Sequence, residues 1–335
     1  MTEPPTTEPV VVAPLVVAPL SPADVIAWCE IVSQGRADES GTLIPPEIMA
    51  GQIADGDGLV RFAARRGSHV VGAAEIRPQH DGAFARIYVP VTYRRAGVGR
   101  ALAAAVSDAA TARHLARVNA TVVAGEPGEA FAVALGARTV LRLVTVERRL
   151  DEPVAAVPEP DGVTAMSWAG RCPDHLLDGY ADLKRHIMDA PDATLQIDGP
   201  VWTTASVRAW EARHGDRLLV DAAVDVSTGA LVGVTEVFAA ASGAADQLDT
   251  IVAPDRRGRG IGTWLKARMI DRLRRDWPAV DRLTSTVNER NTAMLIAAER
   301  TGYRVAWRRR LVAVDLDGAD RSAGAGTGGA RSTAR

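Results

Sequence analysis

Lysine is nearly missing from this chain. Of its 39 basic residues only Lys184 and Lys266 are lysines, which leaves 39 − 2 = 37 arginines. Charge of either sign is not in excess: the formal net charge is −2, which speaks against bulk electrostatic binding of nucleic acid or of an anionic membrane. Cysteine is scarce as well. Cys29 and Cys172 fall in different halves, so no disulfide framework is expected, and each reads as a small buried hydrophobe with no histidine motif to make it a nucleophile. The 6 histidines show no metal-ligand spacing, so no metal is expected. Long apolar runs are lacking too. Pro9–Leu20 is apolar but broken by Pro14 and Pro19, and it follows Glu3 and Glu8 rather than basic residues, unlike a signal peptide. Nothing approaches the ~18 apolar residues of a membrane span. The expectation is a soluble, cytoplasmic protein.

What is abundant is core-forming material. Hydrophobic residues make up 47% of the 335, ample for two cores, and the length favours two domains. The chain also contains itself twice. Val70–Ile76 (VVGAAEI) matches Leu231–Val237 (LVGVTEV), and Val89–Leu102 (VPVTYRRAGVGRAL) matches Val252–Leu265 (VAPDRRGRGIGTWL). Each match runs on into a helical pattern, Arg100–Ala112 and Thr263–Arg275, then a strand, Arg117–Val123 and Arg282–Val287. A short helix, a glycine (Gly136, Gly302) and a last strand follow in both. Pro-rich, acidic Asp151–Asp161 reads as an extended linker. The expected division is a disordered lead-in at 1–20, a first domain at 21–150, the linker at 151–161, a second domain at 162–317 and a disordered tail at 318–335. Helix starts are expected at Ser21-Pro22-Ala23-Asp24, and helices over Pro173–Met188 and Thr203–Arg213. The alternation of strands and helices is that of an α/β layer fold.

In both copies an apolar strand ends in a glycine-rich turn that opens a helix. Helix-start amides lack intrahelical partners and carry the positive end of the dipole, so they attract anions. Glycine lets the backbone approach a phosphate closely. Neither turn has the lysine of a P-loop, and neither completes G-x-G-x-x-G. They read Arg-x-x-Gly-x-Gly instead: Arg94-Arg95-Ala96-Gly97-Val98-Gly99 and Arg257-Gly258-Arg259-Gly260-Ile261-Gly262. This resembles the acetyl-CoA pyrophosphate loop of the GNAT N-acetyltransferase superfamily. Thr286–Tyr303 (TVNERNTAMLIAAERTGY) resembles the segment of that family in which a strand is followed by asparagine, a helix and a Gly-aromatic pair. The second half is also similar to a group of actinobacterial tandem acetyltransferases, through Gln247-Leu248-Asp249-Thr250-Ile251-Val252 and Asp189-Ala190-Pro191.

The resemblance implies two tandem GNAT-type domains, each a central mixed β-sheet flanked by helices. It implies an N-acetyltransferase that passes acetyl from acetyl-CoA directly to an amine. Its implied cofactor residues are Ile251, Val252, Arg257, Gly258, Arg259, Gly260, Ile261, Gly262, Thr263, Asn288 and Asn291, with backbone amides near Ile251 and Val252 polarising the thioester carbonyl. Asn291 reads equally as a helix N-cap. Val89, Arg94, Arg95, Gly97 and Gly99 would form a second site in the first copy, which reads as degenerate because the strand Phe84–Val89 has no carboxylate.

The base candidates are Asp249, Glu236 and Asp246, with Asp249 first, and strand alternation sets Asp246 and Asp249 on opposite faces. The position where many members carry an acidic tyrosine holds Ala298, and Tyr303 reads as core. Asp174, Asp178 and Asp182 lie on one helical face, and Asp189, Asp192 and Asp198 follow; they read either as a solvated face or as a pocket for a cationic amine such as a basic peptide antibiotic, aminosugar or polyamine. Trp202 and Trp210 read as core anchors or as a pocket floor. The leading function is acetylation of a small-molecule amine, without nucleic-acid or membrane partners. A non-catalytic acyl-CoA-binding module and a protein N-acetyltransferase stay open, as does the oligomeric state.

Overall fold

The computed structural model describes residues 13–40, 45–53, 59–79, 82–191, 201–239 and 243–316. The expected tail at 318–335, and Asp192 and Asp198, lie outside the described residues. Packing divides the chain into two compact units. The first comprises Met1–Ala120, Leu135–Ala137 and Ala313–Arg335; the second comprises Thr121–Ala134 and Arg138–Val312.

The first unit contains β1 (Leu15–Pro19), α1 (Val25–Ser40), α2 (Pro46–Ile53), β2 (Val60–Arg66), β3 (His69–Gln79), β4 (Gly82–Tyr88), α3 (Val98–Thr111) and the start of β5 (Arg117–Val123). Its strands lie in the order β1-β2-β3-β4-β5, antiparallel except for the parallel pair β4–β5. Within the lead-in expected as disordered, residues 1–12 lie outside the described residues, while Leu15–Pro19 forms β1. Its β-branched Val16 and Val17 suit a pleated surface, and Leu15 and Val17 pack on the core around Phe62, Ala64 and Leu102. At a sheet edge Pro14 before the strand and Pro19 as its last residue cost no central ladder bond. Ser21 does precede a helical turn, but its hydroxyl donates to Asp24 Oδ2 at 2.6 Å instead of capping a backbone amide.

The second unit contains α4 (Pro127–Ala134), β6 (Arg138–Arg149), β7 (Val163–Ala169), α5 (Leu177–Arg185), α6 (Thr204–His214), β8 (Leu218–Asp225), β9 (Leu231–Ala239), β10 (Gly243–Val252), α7 (Ile261–Asp276), β11 (Val280–Asn288), α8 (Thr292–Arg300) and most of β12 (Arg304–Asp315). Its strand order is β12-β6-β11-β10-β9-β8-β7. Division in chain order would leave β6 with the first copy. Packing does otherwise: β6 pairs antiparallel with β11, from Leu143↔Asn288 to Arg149↔Arg282. Val144, Val146 and Leu150 are buried in one core with Leu283, Val287 and Tyr303, and that burial outweighs chain proximity.

The repeated glycines explain the repeated packing. A Cβ on Gly72 would stand 2.7 Å from Val98 Cγ1 and 2.9 Å from Leu102 Cδ1; on Gly233 it would stand 2.9 Å from Ile261 Cγ2 and 3.2 Å from Leu265 Cδ1. In each unit the bare position lets the helix after the turn press onto the sheet. In each unit, too, a parallel pair comes apart. The β4–β5 pairing is recorded at Ala83↔Val118 and Phe84↔Asn119, and β10–β11 pairing ends at Asp246↔Thr284. Each sheet is thus a mixed sheet with helices on its faces and a splayed parallel pair.

Candidate active site

The turn between β10 and α7 has the geometry of an anion cradle. Gly260, the residue before the helix, has φ +82° and ψ −3° with no side-chain cap. Gly258 has φ +76°, again a region glycine enters without strain. A Cβ at either position would meet nothing within 4 Å, so the space above the turn is open. The first-turn amides of α7, those of Ile261, Gly262 and Thr263, therefore face that space with the helix dipole behind them. Arg257 is fixed beside them: its Nε donates to the Val252 carbonyl at 3.0 Å and its Nη2 to Asp189 Oδ2 at 2.7 Å. The hydrogen bond from Arg257, opposed by slight burial and helped by His186, holds Asp189 below its ordinary range. Arg256 ties the base of the turn to the β8–β9 hairpin through Asp225 at 2.5 Å. Asp225 also accepts from the Ser227 hydroxyl and from the amides of Ser227 and Thr228. Hydrogen bonds from Ser227, with those amides and Arg256, bring its carboxyl to about 2.

Where β10 leaves β11 lies a cavity of about 440 Å³ lined by Trp210, His214, Asp246, Gln247, Leu248, Asp249, Thr284, Ser285 and Thr286. The expectation that Asp246 and Asp249 point to opposite faces fails here, and both line this one cavity. The β9–β10 register shifts between Gln247 and Thr250. Leu248 and Asp249 together oppose Glu236, and such a bulge cancels the two-residue alternation and re-aims the side chain. Asp246 is exposed and accepts from Thr284 Oγ1 at 2.8 Å.

Beneath Asp249 is a group that the motifs did not reveal. Lys184 Nζ donates to both oxygens of Glu236, at 2.7 and 2.8 Å, and to Asp249 Oδ2 at 3.3 Å. It sits 4.3 Å from the Trp202 ring centre and 4.2 Å from that of Trp210, a cation–π arrangement. Lys184 and Glu236 are both 0% exposed. Burial by itself would lower the Lys184 ammonium, but Glu236 and Asp249 outweigh it and keep the group above its usual value. Glu236 accepts a further bond from Tyr180 OH at 2.5 Å, so it is a saturated counter-ion with no face on the cavity. The clue was compositional: a lysine in an arginine chain. The other lysine, Lys266, is 1% exposed on α7, its Nζ 5.4 Å from the Tyr303 ring centre, and burial pulls it down to about 7.

The remaining anticipated residues are placed as follows. Ile251 and Val252 lie on β10 beyond its last pairing with β11, where that strand edge is open. Asn288 is buried, its Nδ2 donating to the Pro191 carbonyl at 2.9 Å. Asn291 caps α8, accepting from the Met294 amide. Tyr303 is buried and donates to Gln247 Oε1 at 3.1 Å; Ala298 lies in the same core. Asp174, Asp178 and Asp182 are exposed, Asp174 pairing with Arg171 and Arg208 and Asp182 with Arg185. They form a solvated face, and the cavity's acid comes from β10. Both cysteines are buried; burial, reinforced by Glu211, pushes the Cys172 thiol up to about 12. Among the described residues no three His, Cys, Asp or Glu side chains are grouped as for a metal, and no helix is long and apolar enough to cross a membrane.

Comparison with known proteins now bears on this site. The model of the Acetyltransferase (GNAT) family matches residues 28–136 and again 185–303. The chain belongs to the GNAT family. It is 31% identical over 233 residues to a mycothiol acetyltransferase of Salinispora arenicola (strain CNS-205), covering 66% of this chain and 70% of the relative. It is 30% identical over 234 residues to that of Salinispora tropica, covering 67% and 70%. Its fold is similar to a tandem GNAT protein from the clavulanic acid biosynthesis pathway, with TM-score 0.72 and 24% identity over 90% of this chain and 99% of that one. It is also similar to a GCN5-related N-acetyltransferase from Sphaerobacter thermophilus, with TM-score 0.69 and 20% identity over 91% and 97%. The protein is therefore an N-acetyltransferase of tandem GNAT architecture with acetyl-CoA as co-substrate.

Proposed function

We propose that the second unit acetylates the amine of a small cationic molecule bound in the cavity at the β10–β11 splay. One observation carries this reading: Asp246 and Asp249 both line a cavity of about 440 Å³, a volume that suits a small molecule. Lys184 shares its single charge with Glu236 and Asp249, so the described cluster keeps net negative charge where a cationic acceptor would enter.

In this reading the amides of Ile261, Gly262 and Thr263, with Gly258, Gly260, Arg257 and Arg259, hold the pyrophosphate. Acetyl-CoA supplies an activated acetyl thioester. The open β10 edge near Ile251 and Val252 offers an amide to the thioester carbonyl oxygen. Asn288 acts by fixing the Pro191 loop, and Asn291 by starting α8. Asp249, held by Lys184, orients the acceptor nitrogen, and holding two reactants in line supplies much of the rate gain. The first unit, with Val89, Arg94, Arg95, Gly97 and Gly99 at its turn, is not the seat of transfer.

The test is acetyl-CoA-dependent thiol release against basic peptide antibiotics, aminosugars, polyamines, amino acids and the acceptor of the mycothiol acetyltransferases. Amine-dependent release that disappears when Arg257 and Gly260 are both changed supports the proposal. Release with a protein acceptor alone, or acetyl-CoA binding without release on any of these, refutes it.

A further inference from the structure

His214 stands at the end of α6 and lines the same cavity as Asp246 and Asp249. Its Nδ1 lies 2.8 Å from the Trp210 carbonyl oxygen. A carbonyl only accepts, so Nδ1 carries the proton and donates it, which leaves Nε2 of the neutral ring with a bare lone pair. No partner for Nε2 is found among the described residues. The ring is held by packing, 4.7 Å from the Trp210 ring centre and 5.5 Å edge-on from that of Phe238. The carboxylates nearby are engaged otherwise. Glu236 is sealed under Tyr180 and Lys184, Asp249 would forfeit its ion pair with Lys184 on taking a proton, and Asp246 is tied to Thr284.

We propose that His214 Nε2 accepts the proton of the attacking amine, a role no motif assigns. This rests on the reading of the cavity as the acceptor site. The nitrogen lone pair forms the bond to the thioester carbonyl carbon, the C–S bond breaks with its electron pair going to sulfur, and the nitrogen's proton passes to Nε2 and from there to sulfur. A fixed tautomer makes the ring a pre-set acceptor that need not reorient. The charged groups sharing its cavity are Asp246 and Asp249 on β10; on its own element the cavity neighbour is Trp210, and on β9 the ring meets Phe238.

The test compares wild type with His214→Gln and His214→Ala. Imidazole-¹⁵N NMR, with the His214 signal assigned by its loss in His214→Gln, is expected to show Nδ1–H and unprotonated Nε2 at pH 8. Acetyl-CoA affinity by calorimetry is expected to be unchanged. With the amine found in the panel above, kcat should fall on the order of 10²–10⁴-fold, with loss of the acid limb of its pH profile and partial recovery of His214→Ala by added imidazole. A kcat within about threefold of wild type in His214→Gln, or an Nε2–H signal in wild type, overturns the proposal. If no amine turns over, the acceptor reading itself fails, and the NMR measurement still decides whether Nε2 is bare.

Discussion

Where β10 carries Asp249, the first copy carries Arg86, 249 − 86 = 163 residues earlier, the same offset that separates Gly97 from Gly260. Around these positions the two units share one device and differ in another. The turns are near copies: Gly97 and Gly260 both have φ +82°, and Arg94 Nε reaches the Val89 carbonyl at 3.0 Å just as Arg257 Nε reaches that of Val252. Beside the turns the charge is inverted. In the second unit one lysine serves two carboxylates; in the first, Glu75 faces Arg86 at 2.8 Å, Arg36 at 3.6 Å and Arg61 at 4.0 Å. The β3–β4 register runs unbroken from Ala73↔Tyr88 to Gln79↔Gly82, so no bulge turns a side chain into the splay. The turn and the charge cluster beside it are thus separable. The turn depends on backbone conformation and is alike in both copies, whereas the cluster depends on a few charges and one bulge and differs between them.

The sharpest way to break this comparison is to cut the same bond in both turns. Arg257→Ala should lower thiol release at least about 100-fold by misplacing the cradle, and Arg94→Ala should leave it within about threefold. Equal losses in steady-state kinetics would mean that both units take part in turnover. The next test reads stability. Lys184→Met strands two carboxylates and should cost about 3–5 kcal/mol by urea unfolding, while Arg86→Met, at a partly exposed ion pair, should cost about 0–1 kcal/mol. A mild Lys184→Met would show that the cluster is wetter than its burial indicates. Smaller again is the glycine pair. Gly72→Ala and Gly233→Ala should each cost about 1–3 kcal/mol through overpacking, the former more, because it brings two contacts under 3.0 Å rather than one.

A contrast that only a pH series reads concerns Lys266, whose counterpart in α3 is Ala103. Its folded value, about 7, lies below the ordinary 10.5. Between those values the unfolded chain holds a proton that the folded chain has released, so stability should climb as pH rises from 7 to 10.5. Lys266→Met should flatten that part of the Tm–pH curve. An unchanged slope would assign it to another group.

The repeat, the two turns, the helices after them and the tandem α/β plan were all legible in sequence, because glycine spacing and apolar periodicity report backbone geometry directly. The proposed acceptor site was legible only as a set of residue types. Asp249 was visible, but its direction depends on a bulge with no glycine or proline to announce it. Lys184 reaches Glu236 across 236 − 184 = 52 residues of chain, and His214 belongs to no pattern at all; both need the fold to bring them in. The edge strand β1 was hidden by its own prolines, and the partner of β6 by chain order.

Both lysines of this acetyltransferase are sealed in its interior, and that has a chemical consequence. An enzyme that handles an activated acetyl group presents no side-chain amine on its own surface, so it is a poor substrate for itself. Amine-directed labels and crosslinkers should find almost nothing to react with on the folded protein, and the appearance of a reactive side-chain amine would be a direct chemical report of unfolding.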